Sequence, residues 1–219
     1  MKMELEQILP GEIERRSFEI ITEELGGKIF PEGQEDIIKR VIHTTADFEY
    51  ADTMTFSPDA VSSALGALTD RGNTVIVTDT NMTRSGIHKA SLEKLGIEAV
   101  CYMADPDVAE EAKREGTTRA AASMKKAADM AQKTGKQIIF SVGNAPTALI
   151  AIEELIREGC VHPALVIGVP VGFVNVVQSK ELIMQTDVPC IVARGRKGGS
   201  NIAACICNAL LYMINDKRD

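Results

Sequence analysis

The sequence predicts an α/β fold: a doubly wound, mostly parallel sheet with an N-terminal helical segment beside it. From Asn73 onward, short β-branched and aliphatic runs alternate with stretches of helical periodicity. The runs are apolar almost without interruption, as strands covered on both faces of a parallel sheet must be. Hydrophobic residues make up 45% of the chain and aromatics only 4%, with no Trp, so the core is aliphatic. At 219 residues, with no linker, repeat or low-complexity tract, the chain reads as one domain spanning 1–219.

The first helix is expected over Pro10–Leu25. Proline pre-sets its start, Ile13, Ile20, Ile21 and Leu25 share helical spacing, and Gly26-Gly27 ends it. A second, Gln34–Thr44, gathers Ile37, Ile38, Val41 and Ile42 on one stripe. Ser57-Pro58-Asp59 reads as N-cap, N1 proline and first-turn acid of a third helix through Val61, Leu65 and Leu68. Strands are expected at Thr74–Thr78, Glu98–Met103, Gln137–Val142, Ala164–Val169 and Pro189–Ala193. Between them the periodicity predicts helices at Ser85–Leu95, Asp105–Glu115, Thr117–Lys133, Pro146–Glu158 and Asn175–Gln185, with a last one over Ser200–Ile214.

With 24 Lys+Arg against 31 Asp+Glu, the net charge is −7. That field repels nucleic-acid phosphate, and six Phe and three Tyr, scattered along the chain, form no base-stacking platform. The longest apolar stretches, Pro163–Val177 and Ile202–Ile214, fall short of the ~18 residues of a membrane span and are broken by Pro, Gly or Asn. No nucleic-acid or membrane partner is therefore expected. The N-terminal MKMELEQILPGEIE is acidic within its first turn, unlike a secretory signal or transit peptide. The five cysteines include no CxxC pair, and Cys205 and Cys207 point to different helix faces. Reduced, buried thiols, no zinc site and a cytoplasmic location are the expectation.

Ligands of such sheets bind outside the carboxyl ends of the strands. The loops there are Asp79–Gly86, Ala104–Asp107, Gly143–Thr147, Gly168–Asn175 and Arg194–Asn201, most of them rich in Gly, Asn, Thr or Ser. Arg194, Arg196 and Lys197 precede Gly198-Gly199-Ser200 at a predicted helix start, which suits an anion site, the alternative being a solvated basic turn whose glycines serve backbone geometry alone. This basic cluster runs against the sign of the whole chain. No G-x-G-x-x-G follows the first clear strand and no P-loop is present, so no nucleotide cofactor is expected.

Of the histidines, His162 precedes Pro163 in a surface turn and His88 stands beside Lys89 in a solvated stretch. His43 ends the second helix, where the macrodipole favours imidazolium by ~0.3–1 kcal/mol. That suits a general acid with a reference pKa of ~6.5; a capping or core histidine is the alternative. Arg119 opens an Ala-rich helix (Ala120, Ala121, Ala127, Ala128, Ala131), which fits either a subunit interface or an ordinary surface helix. Arg15 and Arg16 are adjacent and cannot both face the same way.

The stretches IERRSFEII (Ile13–Ile21), VIHTTADFE (Val41–Glu49), FSPDAVSSA (Phe56–Ala64), TTRAAA (Thr117–Ala122), GNAPTAL (Gly143–Leu149), GVPVGFVNVVQSKE (Gly168–Glu181) and RGRKGGSNIAA (Arg194–Ala204) span nearly the whole chain. In this order they resemble the precorrin-8X methylmutase family of cobalamin biosynthesis, which includes the cobalt-precorrin-8 enzymes. The resemblance implies a Rossmann-like homodimer with its active site near the subunit interface. It implies an isomerase that moves a methyl group from C11 to C12 of the tetrapyrrole, giving hydrogenobyrinate or its cobalt form. It also implies that His43 is catalytic and that Ser17 and Arg119 meet substrate. Thr83 and Arg84, in a segment that varies among relatives, join the expected contacts.

Such a methyl shift needs no redox cofactor and no nucleophile; it needs the macrocycle polarised by a proton and held in a reactive geometry. One general acid supplies typically ~10²–10⁴-fold, and positioning supplies more. Guanidinium forks of Arg15 or Arg16, Arg119, Arg194 and Arg196 match the substrate carboxylates. Backbone N–H groups of Gly143, Asn144 and Ala145, and of Gly198, Gly199 and Ser200, are expected to add neutral donors. A polyanionic ligand of an acidic protein requires a locally positive cavity. The alternative reading is a non-catalytic corrinoid-binding protein on the same scaffold, with His43 as axial ligand or cap.

Overall fold

The computed structural model describes residues 6–215. The acidic N-terminal stretch begins outside them, at positions 1–5. A 3₁₀ turn (Pro10–Glu12) leads into α1 (Ile13–Glu24), α2 (Gln34–Thr45) and the short α3 (Tyr50–Thr53). Then follow β1 (Met54–Phe56), α4 (Ala60–Thr69), β2 (Thr74–Thr78), α5 (Asn81–Gly86), α6 (Lys89–Leu95) and β3 (Glu98–Val100). The second half runs α7 (Pro106–Glu115), α8 (Arg119–Thr134), β4 (Gln137–Val142), α9 (Pro146–Arg157), β5 (Leu165–Gly168), α10 (Val176–Met184), β6 (Cys190–Ala193) and α11 (Ser200–Asn215).

The strands form one sheet in the order β1-β6-β5-β4-β2-β3. All neighbours are parallel except β1, which pairs antiparallel with β6. The chain leaves β2 for the β3 edge and returns to β4 on the other side. The strand order therefore reverses between β2 and β4, and a crevice opens at their carboxyl ends.

Alternation along the strands fills two layers. Ile76, Ile139, Ile167 and Ile191 face the layer that holds α2, α4 and α11. Val75, Val77, Ile138, Phe140, Val166 and Val192 face α8 and α9. Helix α11 is buried nearly all round, from Ile202 through Leu211, because it lies between the sheet and α2. Its two cysteines diverge as expected: Cys207 Sγ lies 3.4 Å from Ser141 Oγ and Cys205 Sγ 3.1 Å from Thr44 Oγ1. The alanines of α8 belong to the core shared with α9, so their small size serves close packing within this chain.

Two local expectations need correction, and one element was not expected. Ser57 does not cap α4; its N–H donates to Cys190 O and its Oγ accepts from Cys190 N–H, both at 2.9 Å, extending the β1–β6 pairing. The helix begins after Asp59 instead. The single helix expected over Ser85–Leu95 is two. Gly86 ends the first, where a Cβ would come within 2.8 Å of Ala204 Cβ, and the His88 N–H donates to Asn208 Oδ1 at 2.8 Å. Strand β1 has no counterpart in the sequence reading, because three residues are too few to show an alternation.

Candidate functional site

At the crevice, Asp79 follows β2 with 0% exposure. Its Oδ1 accepts from the Gly143 N–H at 3.0 Å, and its Oδ2 from Asn144 and Ala145 at 2.8 and 2.7 Å. These are the amides that the sequence reading offered to a ligand. The chain's own carboxylate occupies that nest, so the Gly143–Ala145 backbone anchors the loop and only the exposed Asn144 side chain faces outward. Burial pushes the Asp79 carboxyl above its ordinary range, and the amide donors oppose the rise. Gly143 is required by close approach: a Cβ there would lie 2.6 Å from Ser200 Cα.

Thr80 caps α5, its Oγ1 accepting from the Thr83 N–H at 3.1 Å. The same hydroxyl lies 2.9 Å from both Thr83 Oγ1 and Ser200 Oγ. Thr83 is fully buried in this cluster, while Arg84 on the next position is exposed. Ser200 thus joins the α5 start to the α11 start.

The Arg194–Gly199 loop is braced from below. Lys180 of α10 has 0% exposure, and its Nζ donates to Gly195 O and Lys197 O, each at 2.8 Å. Among the described residues no carboxylate pairs with it, and burial lowers its pKa to about 8. The Gly199 N–H donates to Val169 O at 2.9 Å and the Gly172 N–H to Arg196 O at 3.2 Å. A Cβ on Gly198 would lie 2.1 Å from Val169 O, so this glycine serves packing on the end of β5 rather than approach to a ligand. Lys197 reaches across to Asp47 and Glu49 at 2.6 and 2.7 Å, tying the loop to the segment that follows α2.

His43 sits there, in the last turn of α2, exposed. Its ring stacks on Phe18 of α1 at 5.2 Å between centroids and 13° between planes. It opens on a cleft of about 340 Å³ lined by Ser17, Ile20, Ile21, Ile42, Ala46 and Phe48, among others. Ala46 closes α2 in the left-handed region (φ 54°), its N–H donating to Ile42 O at 2.7 Å. Ser17 Oγ donates to Ile13 O at 2.9 Å. The other histidines are elsewhere: His88 Nδ1 is 2.8 Å from Ser91 Oγ, and His162 lies exposed in the turn before β5.

The arginines divide by partner. Arg16 is held by Glu6 at 2.8 Å and Arg194 by Glu181 at 3.3 Å. Arg84, Arg119 and Arg196 have no carboxylate partner among the described residues, and Arg196 rests over Phe173 at 5.3 Å. Arg119 follows the Thr118 cap, whose hydroxyl lies 2.8 Å from Thr147 Oγ1 in the Gly143–Thr147 loop. Asp79, Lys180 and Arg40 were missed by the sequence reading. Arg40 sits between Phe18 and Tyr212, 5.1 and 4.8 Å from their ring centroids. A signal for Lys180 existed, since Val176, Lys180 and Ile183 fall on one helical stripe.

A family model described as precorrin-8X methylmutase matches residues 12–213. The cobalt-precorrin-8 methylmutase of Priestia megaterium is 46% identical over 93% of this chain and 88% of that one. The precorrin-8X methylmutase of a Sinorhizobium species is 36% identical over 90% of this chain and 92% of its own. A solved structure of the precorrin-8X methylmutase of Thermus thermophilus superposes with a TM-score of 0.83 at 38% identity, over 94% of this chain and 98% of that one. The chain belongs to the precorrin-8X methylmutase family, isomerases that shift a methyl group in cobalamin biosynthesis.

Proposed function

We propose that this enzyme moves the methyl group of cobalt-precorrin-8 from C11 to C12, with His43 as general acid. The observation that carries the reading is the His43 ring, held flat on Phe18 at the mouth of a cleft lined by Ile20, Ile21, Ile42, Ala46 and Phe48, with Ser17 and Glu24 as its other polar groups. Stacking on Phe18 fixes the imidazole plane at the end of α2. A proton delivered at the macrocycle draws electron density from C12 through the conjugated ring. The methyl group leaves with its bonding pair and joins C12, so no external electrons are required. Once the group has moved, the ring electrons fill the vacancy at C11 and the proton is given back.

Arg84, Arg119 and Arg196 are the proposed carboxylate partners, because their guanidinium groups are not committed to a glutamate in the chain. Ser17, Asn144 and Ser200 add hydroxyl and amide contacts. Arg16 and Arg194 join the set only by exchanging Glu6 and Glu181 for the ligand. Drug-sized ligands occupy roughly 300–1,000 Å³, and a tetrapyrrole with its carboxylate arms is larger than the cleft beside His43. This supports a homodimer in which the partner completes the site. Relatives named for cobalt-precorrin-8 reach 46% identity and those named for precorrin-8X 38%, which supports the cobalt form. No helix among the described residues is long and apolar enough to cross a membrane, in keeping with a cytoplasmic location.

The test is His43→Ala. Turnover should fall by about 10²–10⁴-fold, while thermal stability and corrin-product affinity stay near wild type. Turnover within a few-fold of wild type would remove His43 from the chemistry.

A further inference from the structure

We propose that Lys180 is a positioning residue for substrate carboxylates: its buried ammonium braces the Gly195–Lys197 turn and so aims Arg196 at the ligand. This rests on the reading of the site as one for a polycarboxylate macrocycle. Lysine is almost never fully buried without a paired charge, and an unpaired buried cation is costly. Position 180 lies on the core stripe of α10, between Val176 and Ile183, where Met or Leu would satisfy packing. What the ammonium adds is donors. A glycine-bearing turn between β6 and α11 has carbonyls that no strand neighbour satisfies, and Lys180 takes the two at Gly195 and Lys197.

Those carbonyls flank Arg196 on either side in the chain. Residue 196 is further held through its own carbonyl by the Gly172 N–H, and its guanidinium lies on Phe173. The Lys180 ammonium also adds a positive charge under the turn that carries Arg194, Arg196 and Lys197, in a chain at −7.

The experiment compares wild type, Lys180→Met and Lys180→Gln by amide hydrogen exchange, by titration with the corrin product and by steady-state kinetics. In Lys180→Met, exchange over residues 194–200 should accelerate about tenfold, as expected for losing hydrogen bonds of ~1 kcal/mol or more. The Asp79-held amides of Gly143–Ala145 should not change. Product Kd and KM should rise about tenfold in parallel with kcat within about threefold, a split that simple loss of folded protein does not produce. Lys180→Gln keeps amide donors on a shorter arm and should fall between the two. Acceleration spread evenly over the core would show a purely structural lysine and overturn the proposal, as would unchanged loop exchange in Lys180→Met. If that variant does not fold, Lys180→Gln must itself show faster loop exchange and a raised Kd, and wild-type values in it overturn the proposal. Wild-type protein that does not bind the corrin defeats the functional reading instead, and the exchange data still judge the brace.

Discussion

Asp79 shows how one side chain changes the meaning of a loop. Its carboxylate accepts three amides at once, two of them on Oδ2, an arrangement that only a group without its own hydrogens can satisfy. Asp79→Asn turns an NH₂ toward those donors. The variant should lose about 1.5–3 kcal/mol, the range for hydrogen bonds to a charged group, read as a lower urea midpoint at unchanged slope. A midpoint equal to wild type would contradict the account of the nest. Nothing local in the sequence announced this contact, because Asp79 and Gly143 are 64 residues apart. The same holds for the arginines. RGR reads as a cluster of free cations until Glu181 is found beside Arg194, and Arg16 until Glu6 is found beside it. The place of His43 at the end of α2 was legible because its cue is local, an amphipathic helix that ends one turn beyond a buried stripe; its catalytic role came only from the family resemblance.

Among the elements, strands with strong patterns were legible to the residue, as β2 and β4 are. Helix α10 was found too, but its buried lysine was not read as a constraint. Burial disfavours the charged form of Lys180 and takes its pKa from 10.5 to about 8 in the folded protein. The unfolded chain therefore holds the extra proton between those values. The burden is full below about pH 8 and is relieved as pH rises toward 10.5. Between pH 7 and pH 10, wild type should gain roughly 2 kcal/mol relative to Lys180→Met. Urea midpoints of both proteins at both pH values measure it, with other titrating groups cancelling in the difference. A constant gap would mean that the lysine is solvated or paired. The division of α5 from α6 escaped the periodicity because the reason lies on α11, where Ala204 and Asn208 meet the chain at Gly86 and His88.

For the whole molecule, the sheet order creates the crevice and the loops at its rim are tied to one another. Asp79 holds the α9 start, Ser200 joins α5 to α11, and Lys197 connects the basic loop to the segment after His43. These ties set the rim loops against one another in the free chain, and on the proposed reading they let the scaffold orient the macrocycle. The charge pattern has the same logic: a net −7 with Arg84, Arg119 and Arg196 uncommitted leaves local attraction to do what the overall field opposes. The central claim is that this rim holds a corrin. The most direct measurement is visible absorption of the protein after it is mixed with hydrogenobyrinate or cobyrinate and passed through gel filtration. A coloured protein fraction, its band shifted from that of the free ligand, is the predicted result. A colourless fraction at micromolar concentrations of both components would contradict it.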